Sequence, residues 1–211
     1  MSKLNDLIKE LCPDGVEFKP LGEIATIVRG ASPRPIKYFV TDDIKNGIHW
    51  IKIGDVSPES KYITDTKEYI TIDGAKKSKF VHKGDFILSN SMSFGRPYIL
   101  DIDGCIHDGW LSLSGFEDYV SADYLYYILM SPHIQNEMKK KASFSGAVSN
   151  LNADIVKCIK IPVPPLEVQC EIVRILDKFT EMIELLKRET DLRKKQYEYY
   201  RDKLLTFEEL K

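Results

Sequence analysis

The chain has 211 residues and a mass of 24.2 kDa, with 43% apolar and 29% charged residues. Those proportions suit one or two folded domains and exclude a disordered or collagen-like chain. No apolar run approaches the roughly 18 residues of a membrane span, no basic-then-apolar leader opens the chain, and Cys12, Cys105, Cys158 and Cys170 lack CxxC spacing, so a reduced cytoplasmic protein is expected rather than a membrane protein, disulfide framework or zinc site.

The 30 basic and 32 acidic residues give a net charge of −2, which taken whole does not advertise an anionic partner. The charges are nevertheless segregated along the chain. Residues 1–96 hold 15 Lys/Arg against 13 Asp/Glu, and residues 97–138 hold seven acids and no Lys or Arg. Residues 139–165 return to five lysines against Asp154. A neutral total is therefore compatible with one basic face and one acidic face as well as with ordinary surface scatter.

In chain order, Leu4, Leu7, Ile8 and Leu11 form one helical stripe, ended by the Pro13-Asp14-Gly15 turn. Short β-rich runs follow at Ile48–Ile53, Glu68–Ile72, Phe86–Ser89, Tyr98–Ile102 and Trp110–Leu113, separated by turn-forming Gly, Pro, Asp and Asn. Ser121 opens a helix from Tyr124 to Met130, and Ser131-Pro132 restarts one that runs to about Lys141. Ile159–Val163 is a last strand, closed by prolines. The fold class expected is α+β, with short, largely antiparallel strands in a domain at 1–160 and a long helix in 161–211.

That helix carries a seam. Ile172, Leu176, Phe179, Ile183, Leu186, Thr190, Arg193, Tyr197, Tyr200 and Leu204 alternate at spacings of 4 and 3, and no Pro or Gly interrupts 166–211. The pattern is a coiled-coil heptad over more than four repeats, with Thr190 and Arg193 as a polar interval that can fix register. Forty helical residues span about 60 Å, more than a 160-residue globule needs for closure. The seam is covered either by the chain's own domain or, the reading adopted here, by a partner helix, with Ile172, Leu176, Phe179, Ile183, Leu186, Tyr197, Tyr200 and Leu204 as dimerisation residues.

Tests for catalytic motifs return little. There is no GxxxxGK[ST] loop, no Gly-x-Ser-x-Gly elbow, and His49, His82, His107 and His133 are dispersed. His107-Asp108 is an adjacent pair whose side chains would leave opposite faces of a strand. A nuclease would need Asp43, Glu59 and Lys61 to hold Mg²⁺ and activate water, but Ser57-Pro58 just before reads as a turn. No catalytic or metal-binding residues are assigned.

Polar and basic loops beside the β-runs remain. Arg29, Ser32 and Arg34 lie in a proline-stiffened loop whose guanidiniums can fork onto guanine or phosphate. Lys76, Lys77 and Lys79, with Lys83, suit phosphate contact. Ser89, Asn90, Ser91, Ser93 and Arg96 form a second loop of hydrogen-bonding side chains, and Ser145 and Asn150 lie in a third, after Lys139–Lys141. Several such loops on a scaffold without catalytic motifs point to nucleic-acid binding. The rivals are an interaction scaffold that never touches DNA and the Mg²⁺-dependent nuclease.

Leu21-Gly22-Glu23-Ile24, Ile48 to Val56, Lys83 to Ser89 and Gly95-Arg96-Pro97 resemble target-recognition domains of type I restriction–modification specificity subunits. The junction Ile161-Pro162-Val163-Pro164-Pro165-Leu166-Glu167-Val168-Gln169, followed by Ile172-Val173-Arg174-Ile175-Leu176-Asp177, is similar to that family's helical region. The resemblance implies a non-catalytic subunit that reads DNA sequence for methyltransferase and restriction subunits, on which S-adenosylmethionine, ATP and Mg²⁺ belong. Family members usually carry two recognition domains and two helical regions, whereas this chain holds one of each. A half-subunit of this kind implies a homodimer reading an interrupted palindrome, with a gap under about 18 base pairs set by the helix.

Overall fold

The computed structural model describes residues 2–90, 94–143 and 150–207. The chain divides into two compact units, Met1–Cys170 and Glu171–Lys211. The division falls beyond the expected boundary at residue 160, because the last strand pairs back into the first unit and Val168 and Gln169 are buried there.

Helix α1 (Ser2–Leu11) ends at the expected turn, where Gly15 takes a φ of +99° that side chains rarely adopt. Strand β1 (Phe18–Pro20), the single-turn helix α2 (Leu21–Ile24) and β2 (Thr26–Arg29) follow. Strands β3 (Val40–Thr41), β4 (Ile48–Ile51), β5 (Tyr62–Ile63) and β6 (Tyr69–Ile70) are short. The expected strand at Glu68–Ile72 stops early because Thr71 caps helix α3 (Ile72–Ala75), its hydroxyl accepting from the Gly74 N–H at 3.1 Å. The run at Ile48–Ile53 is likewise cut after Ile51, where Asp55 turns back to accept from the Lys52 N–H at 2.9 Å and a 3-10 turn covers Ile53–Asp55.

Strands β7 (Lys79–Val81), β8 (Phe86–Ser89), β9 (Pro97–Leu100), β10 (Gly104–Ile106) and β11 (Trp110–Ser114) complete the β-rich part. Helices α4 (Ala122–Met130) and α5 (Pro132–Ser143) begin at Ser121 and Ser131, whose hydroxyls accept from the N–H groups of Tyr124 and Ile134. A short α6 (Ala153–Lys157) capped by Asn152, strand β12 (Lys160–Pro162) and helix α7 (Leu166–Leu205) close the sequence.

The first unit is built on two five-stranded sheets, ordered β3-β6-β4-β10-β7 and β2-β11-β8-β9-β5, plus the two-stranded ribbon β1-β12. Pairing is antiparallel except between β4 and β10 and between β5 and β9. Ile51, Val81 and Ile106 of the first sheet pack with Ile87, Leu100 and Trp110 of the second in one buried cluster. Each such side chain contributes about 1.5–3 kcal/mol by leaving water. The indole N–H of Trp110 donates to the Ile51 carbonyl at 3.1 Å, so the sheets share a buried hydrogen bond as well as apolar contact. Strands β8 and β9 are buried throughout, which explains why they read as continuous apolar runs rather than alternating ones. Trp50 and Tyr124 are core residues too.

Folding brings part of the acidic tract onto basic residues of the N-terminal part. Asp101 pairs with Lys83 at 2.7 Å, Asp123 with Lys61 at 2.6 Å and Asp108 with Arg34 at 3.5 Å. Three of the seven acids in the 97–138 tract thus pair with cations of the N-terminal part. Sheet pairing brings distant segments side by side, which a linear charge count cannot register.

In the second unit, the seam side chains Phe179, Ile183, Leu186, Tyr197, Tyr200 and Leu204 are each about half exposed or more. Ile172 and Leu176 are partly buried. The Thr190 hydroxyl donates to the Leu186 carbonyl at 2.8 Å, which satisfies it within its own helix.

Candidate nucleic-acid interface

Four segments far apart in sequence meet around the turn between β10 and β11. Gly30 donates to the Trp110 carbonyl at 2.9 Å and Ala31 to that of Ile106 at 3.1 Å, which ties the loop after β2 to this turn. The Ser78 hydroxyl donates to the Ala31 carbonyl at 2.6 Å, bringing the Lys76–Lys79 segment to the same loop. Asn90, after β8, donates from its backbone N–H to the Gly109 carbonyl at 3.0 Å. Its own carbonyl accepts from Leu151 at 2.9 Å, anchoring the chain just after Asn150.

Asp108 is the centre of this arrangement. Its carboxylate accepts from the Ser32 hydroxyl at 2.7 Å and faces the Arg34 guanidinium at 3.5 Å. Its backbone carbonyl accepts from Arg29 Nε at 3.0 Å and from the Asn90 side-chain amide at 2.8 Å. The Ser32 hydrogen bond, assisted by His107 and Arg34, holds the Asp108 carboxyl below the usual carboxylate range. His107 is shifted down in turn, chiefly because burial disfavours its charged form.

The expected base and phosphate contacts divide into groups. Arg29 and Arg34 are exposed and Ser32 half-buried at the turn. Lys76 is exposed but paired with Asp73 at 2.9 Å, and Lys77 lies 4.6 Å from the centre of the Phe39 ring. Lys79, on β7, is half-buried. Ser89 and Asn90 depart from the expectation of surface readers, because both side chains are buried. Asn90 braces the loops, whereas Ser89 faces the interior. Arg96 is half-buried, its guanidinium 5.7 Å from the Tyr98 ring centre. Asn150 is exposed, and Ser91, Ser93 and Ser145 lie outside the described residues.

Nothing draws the nuclease candidates together. Asp43 accepts from the Asn46 side chain at 2.8 Å and from the backbone of Lys45 and Asn46, closing a local turn that lowers its pKa. Lys61 is taken by Asp123 and lies over the Tyr126 ring. Among the described residues, no three His, Cys, Asp or Glu side chains are grouped to hold a metal ion.

Residues 13–192 match the family model described as the type I restriction modification DNA specificity domain. The chain belongs to that family. The specificity subunit of type I restriction enzyme EcoprrI from Escherichia coli is 28% identical over 225 aligned residues, covering 99% of this chain and 54% of that protein. The Escherichia coli EcoR124I/EcoR124II specificity subunit is 29% identical, covering 91% of this chain and 48% of that protein. The crystal structure of an HsdS subunit from Thermoanaerobacter tengcongensis shares the fold, with a TM-score of 0.67, 22% identity, and coverage of 89% of this chain and 45% of that one. The chain thus spans about half the length of the specificity subunits it matches.

Within this specificity domain, sequence reasoning missed Asp108 as the organising residue. It treated His107-Asp108 as part of a strand, whereas β10 stops at Ile106 and Asp108-Gly109 makes a turn. The Asp-Gly dipeptide is itself a turn signal and was the clue available. Gln169 in the junction is a second organising residue. Its buried amide donates to the Tyr119 and Pro164 carbonyls at 2.9 and 2.8 Å and accepts from the Ser121 N–H at 2.9 Å.

Proposed function

We propose that this chain is a DNA sequence-recognition subunit of a type I restriction–modification complex, with no catalytic chemistry of its own. Membership of the specificity family supports this reading. The observation that carries it is the gathering of Arg29, Ser32, Arg34 and the Lys76–Lys79 segment around the turn between β10 and β11. Exposed guanidiniums on a rigid mount can fork onto guanine O6 and N7, while lysines contact phosphates that position the protein without specifying sequence. Methylation and cleavage fall to methyltransferase and restriction subunits, and S-adenosylmethionine, ATP and Mg²⁺ to those partners.

The exposed apolar seam of α7 supports a homodimer. Two copies pair their helices antiparallel and read inverted half-sites, so the target is an interrupted palindrome. A 40-residue helix spans about 60 Å and caps the gap at about 18 base pairs. Mass photometry of the purified chain followed by selection on random duplex DNA tests both parts. A dimer and an interrupted palindromic consensus are expected, with affinity falling steeply as salt rises. A single uninterrupted site bound by one copy sinks the dimer, and no enriched sequence sinks the DNA reading.

A further inference from the structure

We infer that Asp108 is the positioning and specificity-determining residue of the recognition surface: it fixes the DNA-facing side chains and withholds positive charge from indiscriminate phosphate contact. This inference rests on the DNA reading proposed above. A carboxylate is an unexpected group at the centre of such a surface, since it repels the phosphate backbone. Its geometry gives it two separate actions.

The first is positional. The backbone carbonyl of Asp108 holds Arg29 at 3.0 Å and Asn90 at 2.8 Å, and its carboxylate holds Ser32 at 2.7 Å. One turn residue thereby registers the loop after β2 against the chain leaving β8. Readout of base edges depends on fixed donor positions, because a bidentate contact is lost when its two hydrogens are misaligned. Ordered loops also bind without the entropic cost of immobilising them on contact.

The second is electrostatic. Arg34 is 81% exposed and only 3.5 Å from a carboxylate that is itself 44% exposed. A bridge so open to solvent adds little stability, but it keeps one negative charge beside Arg34 that an approaching phosphate must meet. Nonspecific DNA binding rests on the number of cations available to phosphates. Asp108 subtracts one unit from that number on this surface, while the geometry it imposes favours the correct base sequence. Removing its charge is therefore expected to strengthen nonspecific binding and weaken discrimination together, an opposition that a merely structural role does not produce.

The test uses the full chain, the duplex enriched by selection and a random-sequence duplex of equal length. Asp108→Asn keeps an acceptor for Ser32 and removes the charge, and Asp118→Asn removes one charge from an exposed residue elsewhere as a control. With Asp108→Asn, random-duplex affinity is expected to rise, the log–log salt slope to steepen by about one, and the specific-to-nonspecific ratio to fall about tenfold, the scale of one charge-assisted hydrogen bond. Asp108→Ala, which also frees Ser32, is expected to lower the ratio further. An unchanged ratio and slope, or an equal effect from Asp118→Asn, overturns the role of Asp108 while the DNA reading stands. If wild-type protein enriches no duplex, the DNA reading falls and this inference with it; if a duplex is enriched but Arg29→Ala and Arg34→Ala leave specific binding untouched, this surface is not the reader and the inference falls while the DNA reading stands.

Discussion

The backbone N–H of Ile53 points at His107 Nε2 from 3.3 Å, while the N–H of Gly109 points at the same ring's Nδ1 from 2.6 Å. A neutral imidazole offers one lone pair, so it satisfies one of these donors at a time, and the imidazolium offers none. The ring lies 6.2 Å from both Trp50 and Trp110, with Asp108, Lys52 and Asp55 the charged groups acting on it. Burial is the largest cause of its lowered pKa. A histidine held below its ordinary value of 6.5 binds fewer protons folded than unfolded, so its stabilising effect is present above pH 6.5 and is lost as pH falls through the folded value. Melting temperature is expected to decline below that pH in the wild type and to decline less in His107→Gln. Parallel pH profiles for the two proteins would show that this ring is not the group responsible.

Gly30 allows the loop after β2 to pass directly over the turn that carries Asp108. A Cβ built there lies 2.1 Å from the His107 carbonyl oxygen, a contact with backbone that cannot swing aside. Gly30→Ala is expected to cost about 1–3 kcal/mol, the range for overpacking, and to reduce specific DNA binding by displacing Ser32 and Arg34. Thermal unfolding and duplex titration read the two effects separately.

Gln169 joins the start of α7 to the entry of α4 through three backbone groups. Gln169→Leu fills similar space but strands those groups away from water. The expected loss is about 1–3 kcal/mol or more, the cost of an unsatisfied buried polar group. Chemical denaturation measures it, and a loss under about 0.5 kcal/mol, the size of an ordinary surface substitution, contradicts the assignment.

For the seam, Ile183→Glu combined with Leu186→Glu is expected to convert a dimer to a monomer, because two charges per helix would be buried at the pairing line. Both side chains are more than half exposed in the single chain. Melting of the first unit, followed through Trp50 and Trp110 fluorescence, should stay within about 0.5 kcal/mol of the wild type. A double variant that still sediments as a dimer moves the interface elsewhere.

The sequence disclosed long periodic elements best. The heptad of α7, the serine caps of α4 and α5 and the apolar runs of β8, β9 and β11 were legible, since each depends on local pattern. Strands β3, β5, β7 and β10 have two or three residues, too few for alternation to show. Of these, β5, β7 and β10 are placed by Ile63, Val81 and Ile106 in the buried cluster around Trp110, which no local window contains. At the candidate interface, residue chemistry identified the loops holding Arg29, Arg34 and Asn90, but not their mutual arrangement. Ser89 and Asn90 looked like surface readers because small polar residues usually lie outside. In the fold, Asn90 is buried because its hydrogen bonds to Asp108, Gly109 and Leu151 replace those to water.

The ribbon β1-β12 has a consequence for how such a unit is put to use. Phe18 pairs with Pro162 and Pro20 with Lys160, so the polypeptide enters and leaves the sandwich through neighbouring strands. Everything between them hangs as one closed insert from a two-strand stem. A different insert would fit the same stem and the Gln169 junction only if it kept the Tyr119 carbonyl and Ser121 N–H that Gln169 holds, so those two backbone groups are the part of the insert that is not free to vary.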